Sequence, residues 1–157
     1  MNKILKEVVP YILIIMAVIL IRLFVVTPVR VDGESMNPTL SNNQILLLNK
    51  MDKHYKRFDV IVFNHNGNKL VKRIIGLPGD KVTYSDNKLY INDKLVEENY
   101  ARKETDDFIS DKVPNDMYFV LGDNRSNSLD SRYIGFIDKN DIEGVVNISI
   151  LPPKKVK

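Results

Sequence analysis

Residues 8–26, VVPYILIIMAVILIRLFVV, are apolar except for Tyr11 and Arg22. A helix that crosses a bilayer needs about 20 such residues, so the run reads as a transmembrane anchor. Arg22 stands near its far end, where a long side chain can reach the interface. Lys3 and Lys6 precede the run. They favour a cytoplasmic N-terminus, residues 1–7, with residues 27–157 on the outer side of a single-pass cell-membrane protein. A cleaved leader would need small residues after the apolar core. TPVRVDG follows instead, and the only alanines of the chain are Ala17 and Ala101. A buried helix of a soluble protein is the other alternative.

Beyond residue 26 the chain reads as strands and turns. VRV (29–31) alternates, while QILLLN (44–49) and FDVIVF (58–63) are short apolar runs bounded by turn formers. The Asn-Gly pair in NHNGN (64–68) marks a hairpin returning through KLVKRIIG (69–76). KVTYSDNKLYIN (81–92) reads as a second hairpin turning at 85–87, and MYFVLGD (117–123) and GVVNISI (144–150) as late strands. Segment 97–116 is charged and aperiodic and reads as a surface loop. DKNDIEG (138–144) has room for one helical turn, and the PPKKVK tail reads as frayed. Many short strands without a long amphipathic helix predict an all-β barrel or sandwich behind the anchor.

Several function classes are disfavoured by composition. The net charge is +3, from 23 basic and 20 acidic residues scattered along the chain, which gives no nucleic-acid footprint. There are no cysteines and only two histidines, His54 and His65, so no metal site and no cofactor are expected.

Chemistry points elsewhere. Ser35 lies in VDGESMNPTL (31–40), among turn formers shortly after the apolar run. A serine attacks only when a base takes its proton. Both histidines sit in polar, solvated contexts. A lysine can serve if burial lowers its pKa. In a strand, Leu70, Lys72 and Ile74 share one face, and Val71, Arg73 and Ile75 the other. If the first face is core, Lys72 is a desolvated amine; if the second is, Lys72 faces water. Alternation leaves both open because both faces are apolar. LGDNRSNSLDSRYIGF (121–136) is a polar loop in which Asp130 and Arg132 can pair, and Ser126, Ser128 and Ser131 each offer a hydroxyl that can orient an amine.

Together these segments resemble the type I signal peptidases, Ser-Lys proteases anchored in the membrane. GESMNPTL (33–40) resembles the nucleophile motif, RFDVIVF (57–63) a structural strand, VKRIIGLPGD (71–80) the general-base motif and GDNRSNSLDSRYIGFI (122–137) the closing motif. They occur in the family's order over nearly the whole chain. The resemblance implies an all-β catalytic domain with a LexA-like fold, and cleavage of exported preproteins after the small residues of an A-x-A pattern. Partners would be signal peptides and the lipid bilayer. Ser35 would be the nucleophile, Lys72 the general base, Ser128 the hydroxyl that orients the lysine, and Asp130–Arg132 a structural salt bridge. Asp123 and Asn124 would support that segment. The Ser35 N–H would serve the oxyanion hole, with Gly33 at a second position where some relatives carry a serine hydroxyl. Val29, Val31, Met36, Leu40, Leu46, Val62, Leu70 and Val71 would line the substrate pockets or, equally, form ordinary core. The short chain has no room for the inserted domain of Gram-negative relatives and resembles the compact Gram-positive form. The chain from Val26 to Ser35 reaches at most about 30 Å, which keeps the serine close to the bilayer. A self-cleaving LexA-like protease and a non-catalytic peptide-binding module are the alternatives. The anchor and closing motif weigh against the first, and the presence of both Ser35 and Lys72 against the second.

Overall fold

The computed structural model describes residues 3–101 and 104–156. Met1 and Asn2 of the N-terminal segment, Arg102 and Lys103 of the 97–116 segment, and Lys157 of the tail lie outside the described residues.

The apolar run is helical, with different limits from those expected. Helix α1 spans Lys3–Phe24, and strand β1, Val26–Arg30, begins almost at once. Val26 belongs to β1, where it pairs with Asn49. The helix also begins before the apolar run, in a lysine- and glutamate-containing segment that favours helix. Its apolar side chains are exposed along the described length; Ile14, for example, is 61% exposed. Among the described residues, no helix is long and apolar enough to cross a membrane.

The remainder is mostly β-sheet. Following β1 come β2 (Ile45–Asn49), β3 (Val60–His65), β4 (Asn68–Gly76), β5 (Val82–Ser85), β6 (Lys88–Ile91), β7 (Lys94–Val96) and β8 (Phe108–Ile109). Then follow β9 (Met117–Leu121), the short helix α2 (Ser131–Ile134), β10 (Ile137–Asp138), β11 (Ile142–Leu151) and β12 (Pro153–Lys155). The main sheet has the order β1-β2-β11-β3-β4-β9-β10, with β12 paired to β11. Its terminal strands β1 and β10 do not pair, so the sheet is not a closed barrel. A smaller sheet has the order β7-β6-β5-β8.

Turn chemistry explains the hairpins. Three two-residue turns place both central residues at positive φ: Asn66 and Gly67 between β3 and β4, Asp86 and Asn87 between β5 and β6, and Asn92 and Asp93 between β6 and β7. This is the pattern of type I′ turns, which suit Asn, Asp and Gly. The third hairpin went unread in the sequence.

Two further expectations are corrected. Segment 97–116 is no plain surface loop: it contributes β8, and Val113 is buried in the core between the two sheets. The tail is not frayed. The strand β12 pairs with β11, the Val156 N–H donates to Asn147 O at 2.9 Å, and the Val156 side chain is buried. Segment 138–144 does hold one helical turn, a 3-10 turn at Lys139–Asp141.

Three apolar clusters fill the protein. One gathers Val31, Met36, Leu40, Leu46, Leu48, Val60, Val62, Val146 and Val156. A second includes Ile61, Phe63, Ile74, Val120 and Ile142. The third joins the small sheet to the main one through Ile75, Val82, Leu89, Phe119 and Leu121. The central strand β4, between β3 and β9, touches all three.

Candidate active site

Ser35 is held in a turn that apolar anchors fix from below. Val31, Met36 and Leu40 are buried on either side of it, and the Leu40 N–H closes on Met36 O at 2.9 Å. From above, the loop after β9 grips the backbone. The Asn124 N–H donates to Ser35 O at 2.9 Å, and Asn124 Nδ2 to Glu34 O at 3.1 Å. These contacts leave the Ser35 hydroxyl half-buried and aimed at β4.

Lys72 meets it there. Its Nζ lies 2.7 Å from Ser35 Oγ and 2.8 Å from Val71 O. Lys72 is only 2% exposed, which resolves the ambiguity of alternation: both faces of β4 are buried. Loss of hydration lowers the Lys72 pKa to about 8, against the pull of the nearby Asp130 and Asp123 charges, which raise it. A buried amine with that pKa can lose its proton near neutrality, and a serine hydroxyl within hydrogen-bond reach can supply one.

Side-chain ion pairs build the surroundings. Asp130, fully buried, accepts from Arg132 Nε at 2.8 Å and Nη2 at 2.9 Å, so the expected pair is present. The same carboxylate accepts the Gly122 N–H at 3.0 Å. One residue past Lys72, Arg73 makes a fully buried bidentate pair with Asp123, Nε to Oδ1 at 2.9 Å and Nη2 to Oδ2 at 2.7 Å. Thr39 Oγ1 also donates to Asp123. Arg73 is therefore a brace between the nucleophile turn, β4 and the loop after β9.

Other expectations shift. The Ser128 hydroxyl makes no hydrogen bond to Lys72; it is buried without a partner. It lies against Gly122, where a Cβ would sit 2.1 Å from Ser128 Oγ and 2.6 Å from Ser35 O. The Ser131 hydroxyl accepts the Val120 N–H at 2.9 Å, and Ser126 is exposed. Gly33 gives its N–H to Asn42 Oδ1 at 3.2 Å, so that donor is already engaged, and at φ +95° a side chain there would be strained. The Ser35 N–H has no acceptor among the described residues.

Seven of the eight pocket candidates share the first cluster: Val31, Met36, Leu40, Leu46 and Val62 are buried within it, and Val29 and Val71 are packed at its edge. Leu70 is the exception and packs on the second cluster. His54 is exposed, and His65, at the far end of β3, is partly so. Among the described residues, no group of three His, Cys, Asp or Glu side chains is arranged to hold a metal.

Sequence reasoning missed Gly122, Glu98 and the bracing role of Arg73. The only signal for Gly122 was its type, a glycine at the end of a strand. Glu98 had none, being one acidic residue in a charged segment.

Residues 4–151 match the protein family described as signal peptidase, peptidase S26. The chain is 42% identical to a signal peptidase I of Bacillus amyloliquefaciens over 161 aligned residues, 93% of this chain and 87% of that protein. It is 43% identical to signal peptidase I S of Bacillus subtilis (strain 168), with 85% and 82% covered. Among solved structures, it is similar to a crystal structure of a signal peptidase I from Enterococcus faecalis V583. There the identity is 44% and the TM-score 0.53, over 58% of this chain and 95% of that one.

Proposed function

The chain belongs to the signal peptidases of the peptidase S26 family, and from that premise we propose that it removes signal peptides with a Ser35–Lys72 dyad. The observation that carries this reading is the 2.7 Å approach of a buried lysine amine to the serine hydroxyl. In its neutral form, Lys72 accepts the Ser35 proton as Oγ attacks the carbonyl carbon of the scissile bond. The resulting ammonium then protonates the departing amine. Water then gives a proton to Lys72 as its oxygen attacks the acyl-serine carbonyl, and Lys72 returns that proton to Ser35 Oγ as the ester bond breaks, restoring the free serine and the neutral amine. The Ser35 N–H faces the developing oxyanion; one such donor is worth on the order of 100- to 1000-fold in rate. Gly33 adds no second donor while its N–H stays on Asn42.

Small side chains before the cut would rest on the edge of the first apolar cluster, at Val29 and Val71. Val31, Met36, Leu40, Leu46 and Val62 would form the floor beneath. Ser128, Asp130 and Arg132 act in support: the ion pair shapes the loop, and the unpartnered Ser128 hydroxyl is the group that would orient the lysine.

Residues 1–7 would lie in the cytoplasm, α1 in the cell membrane and the β domain outside. What supports this placement is the run of exposed apolar side chains along α1, from Val8 to Ile21, of the kind a bilayer would cover.

The test is cleavage of a preprotein with an A-x-A site, the cut located by mass. Ser35→Ala and Lys72→Ala should each abolish cleavage with the fold retained by circular dichroism. Retained activity in either folded variant ends the dyad reading. Flotation with liposomes tests the anchor: a chain beginning at Val25 should stay in the soluble fraction, the full chain should not.

A further inference from the structure

The segment after β7 supplies groups that hold the loop after β9, and Glu98 is their centre. Its carboxylate accepts from the Arg125 guanidinium through Nη1 at 3.0 Å and also through Nη2. It accepts as well from Tyr84 Oη at 2.9 Å and Tyr100 Oη at 3.0 Å. The Glu98 side chain is 6% exposed and that of Arg125 is fully buried. Charge-assisted bonds in a place closed to water are strong and rigid. Tyr100 reaches the second brace too, its ring centroid lying 4.2 Å from the Arg73 guanidinium carbon.

Arg125 passes this fixation inward. Its Nε donates to Gly122 O at 3.0 Å, and its own carbonyl accepts from Arg132 Nη2 at 2.7 Å. Asp130 holds the Gly122 N–H from the other side. Both backbone polar groups of Gly122 are thus tied by buried side chains. Gly122 is also where the loop presses on Ser35 O, two residues before Asn124 bonds that same oxygen.

We propose that Glu98 is a positioning residue of the active site: through Arg125 it sets the Gly122–Asn124 backbone that carries Ser35, and so holds Ser35 Oγ at Lys72 Nζ. The proposal rests on the dyad reading above. Glu98 touches neither reacting atom, and its effect falls on turnover rather than on substrate affinity. Its position in the small sheet's flank gives that sheet a role in catalysis, as the rear support of the nucleophile.

The experiment is steady-state cleavage of an A-x-A peptide by the full chain in detergent. The set comprises wild type, Glu98→Gln, Arg125→Lys, the double variant and Ser35→Ala, with the melting temperature of each. Misplacing a nucleophile by a fraction of an ångström lowers kcat for Glu98→Gln about 10- to 100-fold while KM stays within about twofold. Because the two residues act in series, the double variant is no slower than the slower single one. A folded Glu98→Gln with wild-type kcat, a loss confined to KM, or losses that multiply in the double variant would each overturn the proposal. Should Glu98→Gln fail to fold, Tyr84→Phe and Tyr100→Phe each remove one bond to the carboxylate and leave the buried Glu98–Arg125 pair intact, with no unpaired charge. Each lowers kcat by about two- to fivefold, scaled from the same principle, and full kcat in both overturns the proposal. An active Ser35→Ala would sink the dyad itself. An inactive Ser35→Ala beside a fully active Glu98→Gln would sink the positioning role alone.

Discussion

On one face of β4 the Lys72 amine is buried against two neutral oxygens, Ser35 Oγ and Val71 O. On the other face, one residue along, the Arg73 guanidinium is buried against the Asp123 carboxylate. The two cations are 2% and 0% exposed, so burial does not separate them. The counter-ion does. Arg73 has a carboxylate in bidentate contact, and its charge is neutralised where it stands. Lys72 feels Asp130 and Asp123 only across a gap, and lost hydration outweighs their attraction, leaving its pKa at about 8. A single strand thereby carries a titratable amine and a permanent structural cation side by side. The first serves chemistry because it lacks the partner that the second has.

The largest test of that contrast is Arg73→Met. It leaves Asp123 buried with only the Thr39 hydroxyl, and should destabilise the protein by about 3–5 kcal/mol in urea unfolding at pH 7. A cost below about 1 kcal/mol would mean the pair is not the brace described.

Next comes the pH dependence of kcat/KM. The neutral amine is the active form, so the rate should climb about tenfold per pH unit up to about 8, leaving pH 6 roughly 100-fold below the plateau. A limb centred near 6.5 would hand the base role to a histidine.

Smaller is the effect of Lys72→Met on stability. The folded-state pKa, about 8, lies below the unfolded value of 10.5, so the folded protein binds fewer protons between those values. The deficit from the buried ammonium is therefore full below about pH 8 and fades as pH rises toward 10.5. Methionine removes it, and should raise stability at pH 7 by about 1–3 kcal/mol while abolishing cleavage. Thermal unfolding at pH 7 and pH 10 measures both the gain and its disappearance; a less stable variant at pH 7 would contradict the account. Smallest of all, His54→Gln and His65→Gln should each leave kcat within about twofold, since neither ring contacts the site.

What the sequence made legible depended on whether the signal was local. The three hairpin turns rest on Asn, Asp and Gly at adjacent positions, and two of the three were read from those residues alone. Lys72 was legible as a candidate but not as a buried one. Alternation tells which residues share a face, and both faces of β4 are apolar because the strand lies mid-sheet with packed clusters on each side. The 97–116 segment misled for the opposite reason. Its buried groups, Glu98 and Tyr100 among them, are held by hydrogen bonds to distant residues, and such bonds leave no periodicity. The motif resemblance brought Ser35, Lys72, Asp130 and Arg132 to one region, where the distances now place them. It gave Ser128 a bond that the structure does not form, and it could not foresee that Asn42 occupies the Gly33 N–H. The pocket residues are named by motif position alone, and Leu70 stands apart from the other seven because one step along a strand changes its face.

The Thr39–Asp123 bond joins residues 84 positions apart, and the Lys72–Ser35 bond joins residues 37 apart. These separations bear on timing. A chain emerging from synthesis has its serine early and its lysine soon after, but the loop that carries Ser35 arrives only with β9. On the proposed mechanism a copy that has both Ser35 and Lys72 but has not yet folded the loop after β9 onto them lacks the support that brings the two together. Activity on that mechanism therefore begins only when contacts between residues far apart in the chain have closed.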